Sequence, residues 1–321
     1  MYQSRKQASS VIGMTNGGWP LLTGDLVCPG CKGTKKSHLG SKRSYQFFEC
    51  SDCGIVSTIH IPEPDEIERI EMFKNYYQKA SFETPNPTAV SLDRLVISFE
   101  RFRSTGRWID IGYGRGGLLI AAERHGWRCH GTELDLRALE YGRRRGWVVA
   151  GSAQNNGLFP EEGFDVVTMI EVLEHIRYPE ECLKTAMRLL RPGGVFYLTT
   201  PNSRSLNRRF LGLEWGVFCP PDHLTIWTVS GLRMSLPKFG FKCRKVRTEG
   251  LNPCEIIHRF HGKKRCIAPP DWNRTGATLN EAFSKTAFRR LLKRSVNRLL
   301  SAFHAGDSIK VLATRDKPSF L

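Results

Sequence analysis

The sequence predicts an α/β chain with a small cysteine-bearing module in front, and three observations carry that expectation. First, the short apolar run Trp108-Ile109 leads into Asp110-Ile-Gly112-Tyr-Gly114-Arg-Gly116-Gly117 and then into a helical run, 118–124. Strand, glycine turn and helix in that order form a nucleotide-binding crossover. The glycines let the backbone turn sharply and let a ligand approach without a Cβ in the way, and the helix N-terminus presents unpaired N–H groups. Second, 163–202 reads as a buried strand (164–170), a helix (179–190) and another buried strand (195–199). Third, Cys28-Pro-Gly-Cys31 and Cys50-Ser-Asp-Cys53 are two CxxC pairs at the spacing of a zinc ribbon.

The elements divide the chain into five stretches. Residues 1–24 form an N-terminal extension without a continuous apolar run, broken by Asn, Gly and Pro, and so do not read as a signal peptide. Residues 25–60 form the ribbon. Each cysteine pair precedes a glycine-bearing turn, and 45–49 reads as a strand between them. Four thiolates make a closed tetrahedral site, hence a structural ion, and a module this small depends on that ion for its fold. Residues 61–90 are a Pro- and acid-rich joint followed by a helix, with Ile67, Ile70, Phe73 and Tyr77 at helical spacing. Residues 91–254 are the core. Beyond the first crossover, 127–133 is a second strand ending in Glu133, and 147–151 is a third. Leu183, Met187 and Leu190 share one face of the helix at 179–190. Pro179 starts that helix, Glu180 and Glu181 suit its first turn, Arg188 and Arg191 its last, and Pro192-Gly193-Gly194 stops it. A helix at 230–239 and a strand at 242–248 close the core. Residues 255–321 hold a helix, Lys285 to His304, with apolar and basic sides, and a last strand at 307–314.

The combination D-x-G-x-G at Asp110–Gly114 with the words EVLEH, RLLRPGG and TTPN further on closely resembles the class I S-adenosylmethionine (SAM) methyltransferases. Gly112, Gly114 and Gly117 also satisfy the dinucleotide pattern G-x-G-x-x-G, so a dehydrogenase is the alternative within the crossover class. An acid at Asp110 repels a pyrophosphate and suits the cationic end of a methionine. The resemblance implies a doubly wound, seven-stranded, mostly parallel Rossmann-like sheet whose last strand is antiparallel. It implies SAM held by Asp110, Gly112, Gly114 and Gly116, with Glu133 on the ribose and Glu171 beside the ligand. Many relatives place an Asp after the third strand to meet the adenine amine; this chain has Ser152-Ala-Gln154 there, so Ser152 is the expected substitute. The order of ribbon, Pro-rich joint, helix and core resembles bacterial methyltransferases associated with polysaccharide and cell-envelope modification.

Methyl transfer is a displacement at a sulfonium carbon, so the protein mainly aligns the acceptor, and a hydroxyl acceptor gains from a positioned base. His175 and His223 are the candidate bases, with Glu171 beside them. Glu171, Glu174 and His175 stand at i, i+3 and i+4, and on one helical turn they would share a face. Glu-x-x-Glu-His with a later Asp-His-x-x-x-Trp-Thr is similar to small-RNA 3′-terminal 2′-O-methyltransferases, and a comparable Glu/His cluster occurs in ubiquinone-pathway O-methyltransferases. That likeness implies a divalent ion, Mg²⁺, Mn²⁺ or Zn²⁺, on Glu171, Glu174, His175 and His223. The alternative is an ion-free site in which Glu174 and His175 order the loop.

Composition narrows the partners. No apolar run reaches the ~18 residues of a membrane span, and a cytoplasmic location makes the ten cysteines thiols or ligands and not disulfides. The net charge of +17 is uneven: +1 over 1–90, +7 over 91–254 and +9 over 255–321. The basic tail suits a phosphorylated or carrier-linked substrate, an anionic membrane face met by Lys285 to His304, or RNA. The expected reaction is O-methylation of a sugar, glycan or carrier-linked intermediate; RNA 2′-O-methylation is the runner-up, although no aromatic–basic alternation marks a stacking platform. A silent SAM-binding scaffold is a further alternative, against which the intact Asp110, Gly112, Gly114 and Glu133 speak.

Overall fold

The computed structural model describes residues 12–14, 20–22, 27–42, 45–59, 89–153, 157–253, 255–256 and 287–316. The expected joint and helix at 61–77, Gln154 and the stretch 257–286 lie outside the described residues.

A short antiparallel pair, β1 (Ile12–Met14) and β2 (Pro20–Leu22), precedes the cysteine module. There β3 (Lys36–Lys42), β4 (Tyr45–Cys50) and β5 (Val56–Ile59) form an antiparallel meander. The module is not self-contained. Its sheet takes a fourth strand, β11 (Thr225–Ile226), from far along the chain, with Thr225 opposite Ser57 and Ile226 opposite Val56. Tyr45, Phe47 and Val56 bury their side chains against Leu211, Trp215, Phe218 and Ile226, and the Phe47 and Phe218 rings meet edge to face at 5.2 Å.

The main sheet has seven strands in the order β12-β13-β10-β9-β6-β7-β8. These are β6 (Arg107–Ile111), β7 (Arg128–Thr132), β8 (Val148–Ala150), β9 (Phe164–Ile170), β10 (Leu190–Pro201), β12 (Phe241–Glu249) and β13 (Ser308–Arg315). The first five pair in parallel, and β13 runs antiparallel to both β10 and β12. Strand β9 is apolar almost throughout because both of its faces are covered. Alternation along β6 sends Trp108 into one layer, with Phe99, Leu119 and Val166, and Ile109 into the other, with Val167, Phe196 and Leu198.

The helices are α1 (Ala89–Ser98), α2 (Gly117–Arg124), α3 (Leu136–Arg144), α4 (Pro179–Leu189), α5 (Leu206–Leu211), α6 (Val229–Ser235) and α7 (Ala287–Ala302). Their starts follow local chemistry. The Asp135 carboxylate accepts from the Arg137 and Ala138 amides, Ser205 from Arg208, and Thr228 from Gly231, while Pro179 occupies the first position of α4. Two elements differ from their sequence expectation. Pro192-Gly193-Gly194 lies within β10, where the pairing with β9 shifts register between Leu190 and Val195. The helix expected at 230–239 is α6 followed by a 3₁₀ turn, Leu236–Phe239, in which Pro237 offers no amide to continue the α pattern.

The terminal helix departs further. Its inner side is Asn297 and Leu300: the Gly250 amide donates to Asn297 Oδ1 (3.2 Å), the Thr248 hydroxyl donates to the Leu300 carbonyl (2.8 Å), and Leu300 is buried. Leu292, Val296, Leu299 and Phe303, at i, i+4, i+7 and i+11, form an exposed apolar stripe, with Leu299 61% and Phe303 74% accessible. Among the described residues no helix is long and apolar enough to cross a membrane.

Candidate active site

The strand order reverses between β6 and β9, and open α/β sheets bind ligands beyond the carboxyl ends of the strands at such a point. Asp110 sits near the end of β6, buried, and takes a hydrogen bond from the Thr168 hydroxyl of neighbouring β9 (2.7 Å). Thr168 in turn accepts from the Trp108 indole (3.0 Å). Burial pushes the Asp110 carboxyl up to about 7; the Thr168 bond opposes that shift and the Glu133 charge adds to it. A buried acid with a single neutral donor among the described residues is a group short of a cation.

The turn after β6 is bent by Gly112, Gly114 and Gly116, at φ +70°, +54° and +71°. Gly112 is also sterically fixed, because a Cβ there would lie 2.6 Å from Val172 Cγ2. That contact brings the segment after β9 onto the turn. Glu133, just past β7, lies where the sequence requires it: one carboxylate oxygen accepts from the Gly114 amide (2.8 Å) and the other from the Leu134 amide (2.7 Å). The Asp135 amide also donates to the second oxygen, at 3.4 Å, so the carboxylate is held by backbone amides as an acceptor of the kind a ribose diol requires. Ser152 is exposed beyond β8, and the glycine before it, Gly151, has open space around its would-be Cβ. These groups fit a SAM-like ligand: acceptors for a diol, a bare peptide bend and a buried acid for an ammonium.

After β9 the chain turns through Glu171, at φ +51°, a conformation unfavourable for a side-chain-bearing residue. Its carboxylate accepts from the Ser308 hydroxyl (3.1 Å). Beyond Val172 the loop forms a 3₁₀ turn, Leu173–His175, and not an α-helical turn. The expected four-residue ligand set is therefore only partly assembled. Glu174, His175 and His223 bring one ligand atom each within 4.8 Å of one another, and Glu171 is not in that group.

The cluster is built from both sides. His175 Nδ1 lies 2.8 Å from the Asp222 carbonyl, to which it donates, and 2.8 Å from Asp222 Oδ1. His223 Nδ1 donates to the Val217 carbonyl (2.7 Å), and the two imidazoles meet at 4.7 Å. With both Nδ1 atoms engaged, the Nε2 atoms are the reactive ends. Glu174 Oε2 accepts from the Thr200 hydroxyl (2.9 Å), while Oε1, 3.8 Å from His175 Nε2, is buried without a hydrogen-bond partner among the described residues. Burial opposes a charge on His175, but Asp222, with help from Glu174, carries it up to about 9. Burial and the His175 charge draw His223 down to about 4, and burial with the Glu171 charge lifts Glu174 to about 8. Asp222 and Thr200 hold the site residues in place yet were not among the expected ones. Their signals were the position of Asp222 beside His223 and of Thr200 in the TTPN word.

A second cluster lies in the cysteine module. The Cys28 and Cys53 sulfurs are 3.6 Å apart, those of Cys31 and Cys50 3.4 Å, and one sulfur from each of the four lies within 4.8 Å of the others. These separations exclude disulfides at ~2.05 Å and suit one tetrahedral ion, whose sulfurs would stand ~3.8 Å apart at a ~2.3 Å bond length.

Residues 88–246 match the family described as a methyltransferase domain. The chain is 31% identical over 175 residues to the ubiquinone biosynthesis O-methyltransferase of Methylococcus capsulatus, covering 48% of this chain and 69% of that protein. It is 30% identical over 105 residues to the enzyme of the same name from Actinobacillus pleuropneumoniae serotype 5b, covering 29% and 45%. The chain thus spans about two thirds of the length of one of these curated relatives and under half of the other. A solved SAM-dependent methyltransferase from Archaeoglobus fulgidus is 17% identical with a TM-score of 0.48, covering 76% of this chain and 99% of that one.

Proposed function

The chain belongs to the class I SAM-dependent methyltransferases, and we propose that it moves a methyl group from SAM to a hydroxyl oxygen. One observation carries this reading. The Gly112 turn, with Asp110 beneath it and Glu133 beside it, touches Val172, three residues before the His175–Asp222–His223 cluster. The cofactor groups and a set of buried polar groups thus meet at the carboxyl ends of β6 and β9. The names of the curated relatives add support for oxygen as the acceptor atom.

SAM supplies an electrophilic methyl carbon on a sulfonium. The chain's own residues do the rest. Glu133 fixes the ribose, Asp110 takes the ammonium, and the glycines keep the path open. Ser152 is assigned to the adenine edge. His223, neutral with Nε2 free of its Val217 bond, receives the proton of the acceptor hydroxyl. His175, charged against Asp222, and Glu171 orient the acceptor. The acceptor class is a sugar, glycan or carrier-linked small molecule. The test is incubation with labelled SAM and separated glycan, lipid and RNA fractions. Label in an alkali-stable ether of the first two supports the reading, and label in RNA ribose replaces it with 2′-O-methylation.

A second reading is favoured by the orphaned Glu174 Oε1. Glu174, His175 and His223 would hold a divalent cation, which supplies Lewis acidity toward the acceptor oxygen. The four cysteines are assigned a structural zinc ion. Metal analysis separates the sites: one zinc that survives Glu174→Gln belongs to the cysteines, and a second ion lost in that variant belongs to the histidine cluster. The exposed stripe on α7, next to Arg294 and Arg298, supports peripheral contact with an anionic lipid surface.

A further inference from the structure

The cysteine module packs into the main apolar core, where Cys28, Cys50, Cys53 and Ile55 share one buried cluster with Ile109, Ile111 and Trp227, and its backbone reaches the histidine cluster through a short series of contacts. The Cys53 carbonyl accepts from the hydroxyls of Thr228 (2.6 Å) and Ser230 (2.7 Å), and the Gly54 carbonyl accepts from Ser203 (2.8 Å). Ile55, the next residue, is fully buried, and its side chain fills the space that a Cβ on Gly30 or Gly231 would need. Three residues on, within β5, the Thr58 amide and hydroxyl both donate to the Leu224 carbonyl (3.0 and 3.2 Å). On the other side, the Leu224 amide donates to the Glu174 carbonyl (2.8 Å).

Leu224 directly follows Asp222-His223. It is therefore held between the edge of the cysteine module and the segment that carries Glu174 and His175. The strand that continues it, β11, is only two residues long and pairs with β5. Two strand residues cannot maintain an extended conformation without a partner. The partner, in turn, belongs to a module too small to hold itself by apolar burial. By contrast, Asp110, the glycine turn and Glu133 rest on β6, β7 and β9, which belong to a different sheet and meet the module through side-chain packing of Ile109, Ile111, Val167 and Met169, not through strand pairing.

We propose that a thiolate-bound divalent ion of the zinc class at Cys28, Cys31, Cys50 and Cys53 acts as a clamp on the acceptor half of the active site. It fixes β5, which fixes Leu224, which sets Asp222 and His223 against His175. The ion touches no reacting atom. Thr58 and Thr228 are positioning residues that transmit its presence, and SAM binding is independent of it. This builds on the reading of the histidine cluster as the acceptor side, but the coupling itself does not require turnover.

The test uses the full chain, with zinc displaced by a mercurial in the presence of a chelator and then restored. Zinc release, amide hydrogen exchange and SAM titration are followed together. Expected is release of zinc with about tenfold or greater loss of protection at Leu224 and Ile226. Protection in β6 and β7 and the SAM dissociation constant change less than about threefold. Re-added zinc restores protection. Thr58→Val, which keeps every cysteine, retains zinc yet loosens Leu224 in the same direction. Three results overturn the proposal: no zinc bound; protection at 222–228 indifferent to zinc; or loss of protection in β6 and of SAM binding together with it, which makes the ion a staple for the whole fold. Failure to bind SAM with the zinc-dependent exchange intact sinks the function reading and leaves the clamp standing.

Discussion

At the scale of single residues, the informative groups are buried and incompletely satisfied. Asp110 is the sharpest case. Its carboxyl stands at about 7 against an ordinary value of 3.8. A group whose pKa is raised by folding contributes stability fully below its unfolded value, and that contribution is lost as pH rises through the folded value. The ligand-free protein is therefore expected to lose stability between about pH 4 and 7, by a few kcal/mol at most. Asp110→Asn should flatten that part of the profile and raise the melting temperature at pH 8. It should also weaken SAM binding about thirtyfold or more, because the ammonium loses its counter-charge. Denaturation monitored across pH, with a parallel titration of SAM, reads both effects. A variant that is more stable and binds SAM as well as the parent would remove Asp110 from the cofactor site. For the histidines, protonation of His223 near pH 4 removes the proton acceptor, so turnover should fall on the acid side. His223→Gln should lower kcat about a hundredfold or more while the SAM dissociation constant stays within about twofold. An equal loss in both would make His223 a structural residue.

At the scale of elements, the crossover was legible because its requirements are local. A glycine at a positive φ and an acid near the end of a strand follow from the backbone itself, and Asp110, Gly112, Gly114 and Glu133 fall where that logic puts them. The steric part can be separated from the conformational part. Gly112 and Gly146 both stand at φ of about +70°, but a Cβ at Gly112 meets Val172 at 2.6 Å while one at Gly146 meets nothing within 4 Å. Gly146→Ala should cost only the backbone strain, ~1–2 kcal/mol, and leave SAM binding unchanged. Gly112→Ala should cost ~1–3 kcal/mol more from overpacking and weaken SAM binding as the Val172 segment shifts. Matching melting temperatures for the two variants would contradict the contact. Other features could not be read locally. The Glu171–Glu174–His175 spacing suggested one helical face, but the chain leaves β9 through a left-handed Glu171 and a 3₁₀ turn, which aims Glu171 at Ser308. The contribution of β11 to the cysteine module joins residues about 170 positions apart, and a two-residue strand leaves no periodic pattern.

At the scale of the whole molecule, charge and apolar surface converge on the C-terminal helix. Amphipathic spacing alone is compatible with a packed apolar side or a free one, and only the tertiary contacts decide between them. Here Asn297 and Leu300 face the sheet, while Leu292, Val296, Leu299 and Phe303 face solvent. With Arg294 and Arg298 exposed on the same helix, this surface should bind vesicles containing phosphatidylglycerol more tightly than neutral ones. Binding should weaken as salt rises toward a Debye length of ~3 Å at 1 M. Leu299→Gln with Phe303→Gln should abolish flotation with anionic vesicles without lowering the melting temperature, since both side chains are already exposed. Flotation that is unaffected by the pair, or equal with neutral lipid, would leave the stripe without this role.

The most direct measurement for the whole account is calorimetric titration of the purified chain, and of its Glu133→Ala variant, with SAM and separately with NAD. The account predicts one SAM per chain, no heat with NAD, and loss of most of the SAM affinity in the variant. Binding of NAD in preference to SAM, or a variant that binds SAM like the parent, would contradict it.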